Sequence, residues 1–123
     1  MSEARLALGA WGEDQAVVYL RKQGMKILER NFRTPVGEID IIAKNKSCLA
    51  FIEVKTRRGT TFGTPQEAVG QRKQRQIIRT AQWYLQNNNV GKLQPRFDVV
   101  AILCQGDATA QITYLINAFS LSG

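Results

Sequence analysis

The sequence predicts one α/β domain in which a helix, three strands, a second helix and a fourth strand follow in that order (αβββαβ), with a further strand appended. The chain has 123 residues, 44% apolar and 22% charged, the composition of a single globular domain covering 1–123. Two segments repeat apolar residues at the spacing of an amphipathic helix, and the others alternate or are rich in β-branched residues. No internal repeat, low-complexity tract or linker divides the sequence.

The first helix is predicted over residues 6–23. Gly9 and Gly12 each weaken a helix by about 1 kcal/mol relative to alanine, so its first turns could begin later than residue 6. Glu13 lies within the apolar stripe, where a carboxylate needs a buried partner such as a metal ion or a lysine, unless it is solvated at the edge of the stripe. The stripe consists of Leu6, Ala10, Val17, Leu20 and Gly24.

Three strands are predicted next, and the second and third form a hairpin of β-branched, buried character. The first of them alternates, with an irregularity near Arg30 and Asn31. Gly, Pro, Asn and Ser residues mark the turns between strands. The strands cover 26–34, 38–43 and 48–55, with turns at 35–37 and 45–47.

The second half of the chain begins with a predicted loop at 57–63. A helix then starts at Thr64, which can cap it, with Pro65 at the first helical position and Glu67 completing a capping box; Glu67 is therefore assigned a structural role. This helix runs to about Gln86. Its apolar residues recur at spacings of three and four, and Gln66 and Lys73 share their stripe and are expected to face the sheet with Val69, Ile77, Ala81 and Tyr84. Strands are predicted at 96–103 and 111–116, and Asp98 is expected to pair with Arg96.

Charged residues share one face of each strand of the predicted hairpin. Because side chains alternate between faces, Glu38, Asp40 and Ile42 lie on one side of their strand, and Ile39, Ile41 and Ala43 on the other. Glu53 and Lys55 likewise share a face, so pairing across the turn brings Asp40 and Glu53 together. One interpretation is a salt-bridge cluster at a sheet edge. The other is a divalent-cation site with Lys55 beside a bound phosphate.

The absence of histidine limits the chemistry open to the chain. It excludes Ser-His and Cys-His nucleophile pairs, histidine general bases and His-ligated metal sites. Cys48 and Cys104 are too few for a thiolate-only zinc site, and we expect both to be reduced core residues. Any metal would therefore have oxygen ligands, as Mg²⁺ and Mn²⁺ prefer.

The net charge of +7 favours a polyanionic partner. The second predicted helix carries a basic stripe, Arg72, Arg75 and Arg79, which we assign to phosphate contacts. Arg57 and Arg58, in the predicted loop after Lys55, are a second candidate. Seven basic residues and one acid, Glu67, lie between positions 55 and 79: Lys55, Arg57, Arg58, Arg72, Lys73, Arg75 and Arg79.

Nothing in the sequence indicates export or membrane insertion. The N-terminal residues lack the basic region and apolar run of a signal peptide. The longest apolar run, Val99 to Cys104, is far shorter than the ~20 residues of a membrane span. We therefore expect a cytoplasmic protein with no membrane partner.

These residues, taken as a group, resemble a known family. Glu13, then Gly37-Glu38-Ile39-Asp40, then Glu53-Val54-Lys55 resemble the PD-(D/E)xK nuclease signature of the restriction-endonuclease-like fold, although Ile39 replaces its proline. The wider pattern resembles the YraN-like family of small bacterial proteins over almost the whole chain. It includes Gly12-Glu13, Arg30-Asn31, Phe51 to Arg57, Phe62-Gly63, Lys73, Arg96 to Val100 and Asn117-Ala118-Phe119.

The resemblance implies a mixed central sheet flanked by helices and a role for each site residue. Asp40 and Glu53 would ligate Mg²⁺ or Mn²⁺, and Lys55 would orient or activate the attacking water and offset phosphate charge. Glu13 would complete the acidic site, as in archaeal Holliday-junction resolvases. The same similarity assigns auxiliary roles on the second helix to Gln66 and Lys73.

The sequence therefore predicts a metal-dependent endonuclease that hydrolyses DNA phosphodiesters, with structured or branched DNA as the substrate that the resolvase similarity favours. A homodimer is expected by the same analogy, because junction cleavage needs two symmetric cuts. Two alternatives stay open. One is a non-catalytic nucleic-acid-binding or assembly protein that retains the scaffold, and the other is a protein-interaction domain whose basic helix meets an acidic partner.

Overall fold

The computed structural model describes residues 3–59, 69–107 and 109–120. Within these ranges the predicted order of elements, αβββαβ with an appended strand, is confirmed. The elements are α1 (Glu3–Lys22), β1 (Lys26–Thr34), β2 (Gly37–Lys44), β3 (Cys48–Arg58), α2 (Gln71–Asn87), β4 (Gln94–Cys104) and β5 (Ala110–Phe119).

The described strands form one mixed sheet in the order β1-β2-β3-β4-β5. β1, β2 and β3 pair antiparallel, β3 and β4 pair parallel, and β4 and β5 pair antiparallel. α2 provides the long crossover that a parallel β3–β4 pair requires. The expected α/β class is thus confirmed, and the arrangement is compatible with a restriction-endonuclease-like core.

The two helices cover opposite faces of the sheet. Successive residues of a strand point to opposite faces, and here they belong to two separate apolar clusters. The cluster under α1 contains Ala16, Val17, Leu20, Ile41, Ile52, Val100 and Ile102. The cluster under α2 contains Ile42, Phe51, Val69, Ile77, Ala81, Tyr84, Phe97 and Phe119.

The predicted apolar stripe of α1 is only partly correct. The helix begins at Glu3 rather than after residue 6, and Leu6 and Ala10 are exposed, while Gly24 lies beyond the helix. The fully buried positions are Gly12, Ala16, Val17 and Leu20. Only the later turns of α1 pack on the sheet, so the apolar residues of its first turns remain in solvent.

The prediction that one unbroken helix runs from Thr64 to about Gln86 is wrong. Val69 and Gly70 are not helical, and Gly70, with φ −69° and ψ 167°, precedes the first helical residue, Gln71. Glycine has a low helix propensity, and the extended Gly70 forms the N-cap without a side-chain hydrogen bond. The proposed capping box, with Gln66, lies outside the described residues.

The loop predicted from residue 57 begins later. β3 continues through Arg57 and Arg58, which pair in parallel with Leu103 and Cys104 of β4. The prediction ended the strand at Lys55 because the sequence turns polar there, but the pairing with β4 maintains the extended backbone. Arg57 and Arg58 are exposed and occupy fixed positions at the end of this strand.

Asp98 pairs with Arg96, as predicted, in a buried network on β4. The Arg96 guanidinium donates to both Asp98 oxygens at 3.0 to 3.2 Å, and the Tyr114 hydroxyl and the Asn117 backbone N–H also donate to this carboxylate. Asp98 is fully buried. The network fixes β5 to β4 and accounts for the carboxylate without a catalytic role.

Two further expectations concern cysteines and membranes. Cys48 and Cys104 are both unpaired thiols on strands, the first half-buried and the second buried. Among the described helices, none is both long and apolar enough to cross a membrane.

Candidate active site

Asp40 and Glu53 lie opposite each other where β2 and β3 separate. The antiparallel ladder between these strands ends at the pair Ile41 and Ile52, and Asp40 and Glu53 are the next residues on each strand. The Asp40 carboxylate accepts a hydrogen bond from the Val54 backbone N–H at 2.8 Å. Asp40 thus occupies the opening between the strands with its side chain held in one position, and the predicted proximity of the two carboxylates is confirmed.

The alternation of β2 breaks at Asp40, which corrects one prediction. Ile39 packs in the α2 cluster with Ile42 instead of sharing the α1 face with Ile41 and Ala43. On the neighbouring strand, Asn31 stands between the pairs Arg30–Ile41 and Phe32–Ile39, and so beside Asp40, with a left-handed φ of 51°. The irregularity predicted near Arg30 and Asn31 is therefore present, level with this break in β2.

Two lysines contact the buried Glu53 carboxylate. Glu53 is only 5% exposed. The Lys55 Nζ lies 3.8 Å and the Lys73 Nζ 4.0 Å from the same oxygen, Oε1. Lys73 reaches it from α2, as the helical spacing predicts, so ammonium groups from two elements meet at one carboxylate.

Burial and the charges of neighbouring carboxylates raise the pKa values of both carboxyl groups. Burial, then the Asp40 charge, raises the pKa of Glu53 to about 7, while Lys73 and Lys55 partly offset the rise. Burial and the charges of Glu13 and Glu38 raise the pKa of Asp40, against the Val54 N–H and Lys73. A bound cation would favour the charged form of both groups.

Glu13 lies near this pair but has its own partners. Its Oε1 accepts hydrogen bonds from the Arg30 Nε and the Asn31 Nδ2, each at 3.1 Å. Arg30 also binds Asp14 at 2.7 Å. The side-chain partners of Glu13 are therefore an arginine that is 41% exposed and an asparagine, both from β1, in the place of the lysine that we considered.

A glycine brings Glu13 close to the strand that carries Glu53. Gly12 packs directly against Thr56, and a β-carbon added at position 12 would overlap the Thr56 side chain. Any larger residue would hold α1 further from β3. Gly12, predicted only to weaken the helix, therefore sets the distance between Glu13 and the sheet.

An open cleft of about 490 Å³ lies on the α1 side of the carboxylates. The charged residues that line it are Glu13, Asp40, Lys55, Arg57 and Arg58. The cleft therefore combines two acidic groups with cations suited to phosphate.

A second concavity, of about 550 Å³, lies against α2. Arg72, Lys73 and Arg79 line it, and Arg75 is exposed on the same helix. The predicted basic stripe is therefore on the surface, and Lys73 links it to Glu53. The contribution of Gln66 falls outside the described residues.

The carboxylate pair supplies part of the ligand set that a metal ion requires. Within the ranges 3–59, 69–107 and 109–120, no three acidic or thiol side chains gather into a ready-made metal cage. Asp40 and Glu53 supply two carboxylates at one opening, and hard divalent cations such as Mg²⁺ accept one or two carboxylates and keep several waters. The pair therefore fits Mg²⁺ or Mn²⁺ as a partly hydrated ion.

Sequence reasoning missed several contributors to the site. Arg30 and Asn31 hold Glu13, and the Val54 backbone holds Asp40. The available signal was an asparagine within an irregular strand, because asparagine tolerates a left-handed backbone better than most residues. The contacts themselves depend on how α1 crosses the sheet, which local patterns do not encode.

The chain is similar to many bacterial proteins along its length. A family model described as "Uncharacterised protein family UPF0102" matches residues 12–102. A UPF0102 protein of Syntrophotalea carbinolica is 58% identical over 123 residues, covering 100% of this chain and 99% of the relative. One of Trichlorobacter lovleyi is 49% identical over 117 residues, covering 94% and 92%. Another, of Caldanaerobacter subterraneus, is 42% identical over 114 residues, covering 91% and 93%.

Proposed function

The chain belongs to the protein family UPF0102, the YraN-like group, and from this premise we propose that it is a metal-dependent endonuclease that hydrolyses DNA phosphodiester bonds. One observation carries the proposal: Asp40 and Glu53 face each other at an opening in the sheet, with Lys55 3.8 Å from the Glu53 carboxylate. A buried carboxylate beside a second, half-buried one costs free energy unless something compensates the charge. A divalent cation would compensate it.

Each residue has a role in this proposal. Asp40 and Glu53 would hold Mg²⁺ or Mn²⁺, which when bound polarises a phosphate and lowers the pKa of a water. Lys55 would orient the attacking water and offset phosphate charge. Hydrolysis joins the water oxygen to phosphorus and breaks one P–O ester bond, and the leaving oxygen takes a proton. Glu13 would complete the acidic site, while auxiliary roles for Lys73 and Gln66 stay predictions.

The substrate proposal uses the positive surface beside the carboxylates. Arg57 and Arg58 border the cleft, and Arg72, Arg75 and Arg79 are exposed on α2. Cations on both sides of the carboxylates would support a polyanion that extends beyond one phosphate. DNA is the proposed polyanion, branched DNA is favoured by the resolvase similarity, and the expected cytoplasmic location agrees with both.

A non-catalytic DNA-binding protein is the second candidate, and one observation favours it. Arg30 already pairs with Glu13, so the third acidic group of the site has a cationic partner in place, which it shares with Asp14. Under this alternative the scaffold would bind DNA with strong salt dependence and without turnover.

Cleavage by the full-length protein separates the two candidates. Four-way-junction, single-stranded and duplex DNA are incubated with Mn²⁺ or with EDTA. We expect cleavage of at least one substrate with Mn²⁺, none with EDTA, and none with Asp40→Ala, whose DNA affinity stays within a few fold of the wild type. Asp107→Ala, which alters an exposed acid in the β4–β5 turn, is the control and should cut normally. If the wild type cuts nothing and Asp40→Ala behaves identically, the nuclease proposal is wrong.

A further inference from the structure

We propose that β5 is a dimerisation edge, at which the strand pairs antiparallel with β5 of a second copy of this chain. β5 ends the sheet, and no described segment pairs with its outer side. A free sheet edge presents unpaired N–H and C=O groups, and proteins commonly protect such edges with charges, prolines or bulges. The two edges of this sheet differ sharply in that protection.

The β5 edge carries no charge. Its ten residues, Ala110–Phe119, contain no Asp, Glu, Lys, Arg or Pro. None of residues 108–123 is charged, in a chain whose net charge is +7. Two copies of this strand can therefore approach without the repulsion that the rest of the surface would impose.

The first part of β5 is also regular enough to pair again. From Ala110 to Leu115 each residue has one partner on β4. The pairing becomes irregular after Leu115, because the next three residues of β5 stand opposite the single residue Asp98 of β4. One of the three, Asn117, has a left-handed φ of 57°. The flat segment 110–115 has the length of an ordinary strand.

The opposite edge, β1, is protected. It carries Lys26, Glu29, Arg30 and Arg33, and its register shifts between Ile27 and Glu29. The left-handed Asn31 interrupts it a second time. Charges and irregularities of this kind block strand addition. Because only one edge is open, association would stop at a dimer and would not continue into a filament.

A second copy is the occupant that these features favour. An antiparallel pair of identical strands has twofold symmetry, so every contact is made twice and the assembly is closed. The apolar side chain of Ile116, 51% exposed at the end of the flat segment, would gain cover in such a pair. A charged peptide would gain no complementary charge from this strand.

The proposed dimer would set the separation of two candidate active sites. Glu53 pairs with Val99, and Val99 pairs with Leu115, so the site lies level with the end of the flat segment. Five strand spacings, about 24 Å, would separate the two Glu53 positions across the joined sheet, and the antiparallel pairing of 110–115 would also offset them along the strands by about five residues, roughly 17 Å. This consequence rests on the proposed function, whereas the dimer itself does not.

The test is the mass of the full-length protein in solution, by light scattering and sedimentation, without DNA or metal. The wild type is expected at twice the 13.8 kDa chain mass. Thr113→Lys, an exposed position in the flat segment, should give monomer with at least tenfold weaker association. Thr113→Val keeps a neutral β-branched side chain and should stay dimeric. Val18→Lys, at a site 50% exposed on α1, adds the same charge elsewhere and should also stay dimeric.

Amide hydrogen exchange checks that the interface is β5. Residues 110–115 should exchange more slowly in the wild type than in Thr113→Lys, and Gln111→Lys should reproduce the monomer if Thr113→Lys fails to fold. A monomeric wild type at all concentrations overturns the proposal, as does a dimer that both lysine variants at β5 leave intact. Neither result bears on the proposed nuclease activity, because the measurement uses neither DNA nor metal.

Discussion

Gly12 of α1 lies so close to Thr56 of β3 that a β-carbon at position 12 would stand 1.9 Å from the Thr56 hydroxyl oxygen. Glu13 follows directly and takes its position beside Asp40 from this contact. The contact therefore connects the packing of α1 to the geometry of the acidic residues.

Gly12→Ala is predicted to destabilise the fold by about 1–3 kcal/mol, because overpacking outweighs the better helix propensity of alanine. Gly9→Ala in the same helix is the matched control, since nothing lies within 4 Å of its added β-carbon. That change should stabilise by up to about 1 kcal/mol. Urea unfolding of both variants checks the pair, and equal effects would contradict the packing account.

Protonation of Glu53 should make stability depend on pH. Its pKa is raised to about 7, whereas the unfolded chain has the ordinary value of 4.5, so the folded state retains a proton that the unfolded state releases. The stability from this proton is fully present below about pH 4.5 and is lost as pH rises through about 7. Glu53→Gln should remove this loss, which is on the order of 1–3 kcal/mol.

Urea unfolding between about pH 4 and pH 8 measures the difference between the wild type and Glu53→Gln. Glu29→Gln is the control, because Glu29 is exposed on β1. Parallel profiles for the wild type and Glu53→Gln would show that Glu53 does not retain a proton in the folded state.

The basic stripe of α2 should contribute to DNA affinity through phosphate contacts. The salt dependence of binding is the slope of log K against the logarithm of the salt concentration. Replacing Arg72, Arg75 and Arg79 by glutamine is predicted to reduce the magnitude of this slope by about 2–3. A control replaces three other exposed cations by glutamine: Arg21 and Lys22 at the end of α1, and Lys26 at the start of β1. Fluorescence anisotropy over a salt series measures both. DNA affinity that is indifferent to the α2 change would instead favour a protein-interaction role for this helix.

The fold was predictable where its signals are local. Strand boundaries follow the turns at 35–37 and 45–47, and the hairpin that brings Asp40 and Glu53 together follows from its short connection. The α1 stripe was misjudged because the residues that meet the sheet include Gly12 and Ala16, whose small side chains carry little hydrophobic signal. The break at Gly70 was missed because the Thr64–Glu67 pattern predicts a helix start regardless of the residues after it.

The charged residues of the site could be predicted from the sequence, but the residues that hold them in position could not. The spacing of Asp40, Glu53 and Lys55 predicts their shared location, and the apolar stripe predicts that Lys73 faces the sheet. The contacts of Glu13 with Arg30 and of Asp40 with the Val54 amide join segments that are distant in sequence. Such contacts depend on helix placement over the sheet, which single-residue patterns do not specify.

The central claim is that Asp40 and Glu53 support Mn²⁺- or Mg²⁺-dependent cleavage of DNA. The most direct measurement is the single-turnover cleavage rate of Glu53→Gln beside that of Glu29→Gln, at equal fractions of bound DNA; Glu29 is exposed on β1. Glu53→Gln should cut at least 100-fold more slowly than the wild type with affinity within a few fold, because loss of a metal ligand acts on chemistry. Glu29→Gln should retain the wild-type rate. Equal rates for the two variants, or a loss explained entirely by weaker binding, would contradict the account.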